Sequence, residues 1–210
     1  MVKKSKTAPE QEPLKLFYIF YNQERWDNWL TRLRESNFDI VEGSDDMPEG
    51  FQALYNFGQD ITLSVLKIIK LYQNKRFSME EAVDKLDQVE KIIMSEAPHD
   101  EIEEVVESLQ LSMLVLFASC RKFLEGGYQT DIKALVGEGR KLIDGDMEKA
   151  LGVAAEIGAN VINGASCCSK YVKDDIDQPT LFDEWLIEAE TMNEAMTSLK
   201  NFDEEAGEAV

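Results

Sequence analysis

Residues 104–125 read EVVESLQLSMLVLFASCRKFLE, and this stretch decides the fold. Ile102, Val106, Leu109, Met113, Leu116, Cys120 and Phe123 recur at alternating spacings of four and three. That period is helical. Leu111, Leu114, Val115, Phe117 and Ala118 fill the remaining sides, so the middle of the helix is apolar all round. Such a helix is either buried in a core or crosses a membrane. The apolar centre, 109–120, holds Gln110, Ser112 and Ser119 and is too short for a span of ~20 apolar residues. The stretch therefore predicts a central core helix over 102–125.

Working outward, helical periods and caps predict about seven helices and no strand. Asn22 caps a helix to residue 35, with Tyr21 and Trp26 at staple positions. A long helix spans about 51–74, on the seam Leu54, Gly58, Ile61, Val65, Ile68 and Tyr72. Gly58 there implies close approach of a neighbour, because glycine costs a helix ~1 kcal/mol. Ser78 and Glu81 form a capping box for a helix on Met79, Ala82, Leu86, Val89 and Ile93. Asp100 and Glu103 cap the central helix, and Gly126-Gly127 ends it. Residues 131–143 and 147–163 form a helical hairpin whose second arm, rich in Ala and Gly, suits tight packing. Residues 165–172 add a turn or two, and 173–179 make an acidic loop. Thr180 and Asp183 open a last helix on Phe182, Trp185, Ala189, Met192, Met196 and Leu199. Short connections favour antiparallel neighbours. The expected architecture is all-α: a disordered tail over 1–15, one helical domain over 16–202 with an extended lead-in at 16–21, and an acidic disordered tail over 203–210.

Composition narrows function. With 41 acidic against 22 basic residues the net charge is −19, which repels nucleic acid and anionic membrane surfaces. No apolar segment at the N-terminus reads as a secretory signal. Cys120, Cys167 and Cys168 are odd in number and lack metal-site spacing. A reducing cytoplasm is the expectation. His99 is the single histidine. No nucleophile elbow, phosphate-binding loop or calcium loop is present, and no catalytic residue, metal or cofactor is assigned.

One helix runs against the charge trend. Arg25, Arg32 and Arg34, half of the arginines, lie on 22–35. Guanidinium forks there suit an acidic or phosphorylated partner. In so acidic a chain the same forks also suit the protein's own carboxylates. The leading expectation is a non-enzymatic interaction protein, an adaptor, assembly factor or regulator that contacts another protein through Arg25, Arg32 and Arg34. The alternative is a small-molecule-binding or enzymatic bundle, with its site where 147–163 meets the central helix near Cys120 and Cys167.

The run FYNQERWDNWLTRL, 20–33, together with the capped helical remainder and acidic tail, resembles an archaeal family of uncharacterised acidic proteins in methanogens and haloarchaea. Its members open with a Glu-Arg-Trp-x-Asn-Trp-Leu box, carried here by Glu24, Arg25, Trp26, Asn28, Trp29 and Leu30, with Phe20 and Tyr21 ahead of it. The resemblance covers about 17–202 and implies an archaeal cytoplasm. The lysine-bearing N-terminus and milder acidity depart from the haloarchaeal type.

Overall fold

Side-chain caps open five of the helices in the computed structural model, which describes residues 20–40, 47–166, 171 and 179–207; the helix from Glu103 has none, so the cap expected of Asp100 and Glu103 is not formed. Among these are seven helices: α1 Gln23–Glu35, α2 Glu49–Gln73, α3 Met79–Ile93, α4 Glu103–Glu125, α5 Ile132–Leu142, α6 Met147–Ile162 and α7 Leu181–Gly207. The Asn22 side chain accepts from the Arg25 backbone N–H at 2.9 Å. Ser78 and Glu81 close the expected box: Glu81 N–H donates to Ser78 Oγ and Ser78 N–H donates to Glu81 Oε2. Thr180 and Asp183 do the same for α7. Asp131 and Asp146 cap α5 and α6. Each cap satisfies a backbone donor that the first turn would otherwise leave unpaired. Gly126, at φ 73°, stops α4 in a left-handed conformation that a side chain would strain.

The expected tail over 1–15, most of the lead-in over 16–21, the loop over 173–179, Cys167 and Cys168 lie outside the described residues. α7 continues to Gly207, so residues 203–207, expected as tail, are helical. Glu and Ala are good helix formers, and nothing before Gly207 breaks the helix.

α4 packs against α2, α3, α6 and α7, which makes it the expected centre. α7 lies beside it and also touches α2, α5 and α6. α1 and α3 flank α2, and α5 pairs with α6 as a hairpin. Val106, Val115, Leu116, Phe117 and Cys120 are fully or almost fully buried, and the α7 seam from Phe182 to Leu199 is buried throughout. Two inward assignments are corrected. Leu111 on α4 is 43% exposed, so α4 is not apolar-packed all round. Met79, in the first turn of α3, is exposed as well.

The tight crossing is between α4 and α6. A Cβ on Gly158 would lie 2.6 Å from Ser119 Cβ, so the two backbones approach as only glycine permits. Gly58 is different. A Cβ there would meet Leu109 Cδ1 at 3.6 Å and Met113 Cε at 3.8 Å, which is ordinary contact. The close approach expected at Gly58 is absent, and the glycine lines a surface groove instead.

Candidate functional site: an apolar groove between α2, α4 and α7

Three helices, α2, α4 and α7, border a groove of about 400 Å³. α2 supplies Phe51, Leu54, Tyr55, Gly58 and Gln59, α4 supplies Ser108, Leu109, Ser112 and Met113, and α7 supplies Glu184, Ile187, Glu188 and Thr191. Met47, ahead of α2, lines it as well. The volume falls within the ~300–1,000 Å³ of ordinary ligand sites. Its rim is apolar and open: Met47 is 62% exposed, Tyr55 56%, Ile187 49% and Phe51 40%. Large side chains left in water together, rather than singly, mark a contact surface. Among the described residues, no Lys, Arg or His lines the groove.

Glu188 is the one buried carboxyl of this groove. The fully buried Thr62 hydroxyl donates to its Oε1 at 2.8 Å, linking α2 to α7. Burial pushes its pKa up to about 8, and the Thr62 hydrogen bond opposes that shift. At neutral pH the group is a neutral acid, because an unpaired carboxylate in apolar surroundings is costly. Sequence reading passed it over as one carboxylate among many. The signal was its position, three residues after Trp185 and four before Met192, on the buried seam of α7.

The arginines of α1 take separate positions. Arg25 grips Asp60 through Nε at 2.7 Å and through Nη2, while Trp29 Nε1 donates to the same carboxylate at 2.8 Å. Arg34 Nε donates to Asp100 at 2.7 Å. Arg32 lies 5.3 Å over the Trp29 ring, with no carboxylate partner among the described residues. Arg25, Asn28, Trp29 and Arg32 border a hollow of about 180 Å³, which Arg34 does not join.

A family model described as an uncharacterised protein conserved in archaea, DUF2150, matches residues 19–205. The chain belongs to that archaeal family. The match begins ahead of α1 and reaches into the last turns of α7, so every groove-lining residue of this family member lies within it. No curated protein and no solved structure matches the chain.

Cys120 is fully buried, and burial raises its thiol far above the usual range, so it stays protonated. A protonated, inaccessible thiol is no nucleophile. His99 sits between Glu103 at 2.8 Å and Glu96 at 3.2 Å on the surface, and both carboxylates raise its pKa. Among the described residues no three His, Cys, Asp or Glu side chains are grouped to hold a metal ion, and no helix is long and apolar enough to cross a membrane. At Ser119, beside Cys120, α4 and α6 meet in the tight Gly158 contact, and the same two helices together with α5 also border a cleft of about 520 Å³. That cleft sets charges of both signs, among them Arg121, Lys122, Glu138 and Lys149, around apolar Ala118, Leu142, Val153 and Ala155.

Proposed function

We propose that the protein is a non-catalytic, cytoplasmic interaction module that docks an amphipathic, basic helix of another protein in the α2–α4–α7 groove. The observation that carries this reading is the groove's composition: apolar walls, two carboxyl groups and no cation. An amphipathic helix lays apolar side chains at i, i+3, i+4 and i+7 into such a groove. Its exposed face would carry lysine and arginine, matched to a chain of net charge −19. The exposed rim, which stays wet around any ligand sunk in the floor, favours a polypeptide over a small molecule.

The arginine face of α1 is the second reading. Arg25 and Arg34 already hold Asp60 and Asp100, so an acidic partner would meet Arg32 first, at the hollow beside Trp29. Affinity capture from archaeal extract separates the two surfaces. Gly58→Leu puts a side chain into the groove, and Arg32→Glu reverses the α1 charge. Loss of a stoichiometric protein with Gly58→Leu, at unchanged melting temperature, is the expected result. Loss with Arg32→Glu alone would move the contact to α1, and the two losses together would mean a surface spanning both.

A further inference from the structure

We propose that Glu188 is the anchor of this groove for a single ammonium group, a lysine side chain of the docked segment; this rests on the groove reading above. The carboxyl is buried at the groove floor, where Thr62 holds only one of its oxygens. The other, Oε2, has no hydrogen-bond partner among the described residues and is not sealed from solvent. A buried polar atom without a partner is costly to maintain. One that opens into a groove is satisfied by whatever enters.

The chemistry selects the visitor. A guanidinium binds best as a fork across both carboxylate oxygens, and Thr62 occupies one of them. An ammonium is a point charge that needs only the free oxygen. Its four-carbon stem would lie along Leu54, Leu109 and Met113, as lysine stems do on apolar surfaces. The other titratable groups of the groove are Glu184, one turn earlier on α7, and Tyr55 on α2, whose hydroxyl accepts from Gln59. α4 contributes only the hydroxyls of Ser108 and Ser112, and no residue of α5 or α6 lines the groove. Among the described residues no cation lines the groove to compete with the visitor.

The balance of charge fixes a proton count. Free Glu188 is a neutral acid at pH 7 because of its burial. When the ammonium arrives, the carboxyl O–H bond breaks, its proton passes to water, and an ammonium N–H donates to the resulting carboxylate. Binding therefore releases up to one proton. Affinity rises about tenfold per pH unit below pH 8 and levels off above it.

Octylammonium and octanol, equal in chain length, serve as probes of the whole protein by titration calorimetry. Buffers of different ionisation enthalpy report the proton count. The amine is expected to bind at least about tenfold tighter than the alcohol at pH 8. It should release close to one proton at pH 6–7, and it should lose that preference in Glu188→Gln while octanol binding persists. Gln keeps an acceptor for Thr62, and its melting curve verifies the fold. Octanol binding without an amine preference, or a preference that survives Glu188→Gln, would overturn the anchor and leave the groove standing. If octanol binds the wild type and Gly58→Leu equally, or neither, the groove reading falls with it.

Discussion

Glu188 has a cost that pH controls. Its pKa lies near 8 in the fold against an ordinary 4.5, so between those values the unfolded chain has lost the proton that the folded chain keeps. The unfolded state then binds fewer protons, and stability falls as pH rises from about 4.5 to about 8. Glu188→Gln removes this dependence. Denaturant melts should show the variant within ~1 kcal/mol of wild type at pH 5 and a few kcal/mol more stable at pH 8. Equal stability of the two at pH 8 would mean that the carboxyl is solvated. Gly58 offers a second residue-scale test. A methyl fits there at contact distance and raises helix propensity, so Gly58→Ala should stabilise by ~0.4–1 kcal/mol. A glycine that weakens a helix without a packing reason is legible in sequence as a cost. Its purpose is not, because the groove beside it is completed by α4 and α7 residues at least 50 positions away in the chain.

At the scale of elements, Gly158 and Gly58 separate by sign. Gly158→Ala raises propensity in α6 as Gly58→Ala does in α2, yet its methyl meets Ser119 Cβ across the α4–α6 crossing. Ser119 Cβ is fixed to its backbone, so the helices must part. A net loss of ~1–3 kcal/mol in urea unfolding is expected, and a neutral result would show that the crossing is loose. Leu116, fully buried on α4, should cost ~2–5 kcal/mol when cut to alanine; a loss under ~1 kcal/mol would place it outside the core. The helices were legible because caps and periods are local: Asn22, Ser78-Glu81, Asp131 and Thr180-Asp183 all act within four residues. Exposure was less legible. Leu111 and Met79 satisfy a helical period, but which sides of α4 and α3 are covered depends on where α2, α6 and α7 pack. The arginines show the same limit. That Arg25 meets Asp60 and Arg34 meets Asp100, 35 and 66 residues away, is set by packing rather than spacing.

For the whole molecule the governing quantity is charge. A net −19 draws a basic segment from a distance and repels acidic competitors. Association of such a partner should slow by about tenfold or more between low and high salt in stopped-flow, with dissociation much less affected. An association rate indifferent to salt would remove the basic character assigned to the partner. The contact surface itself is tested most directly by photo-crosslinking. A benzophenone side chain is placed at Tyr55 on the groove rim or at Asn28 on the α1 face, and the protein is irradiated in archaeal extract. One discrete protein adduct from position 55, abolished by Gly58→Leu, is the predicted result. An adduct from position 28 with none from position 55 would contradict the groove as the binding site.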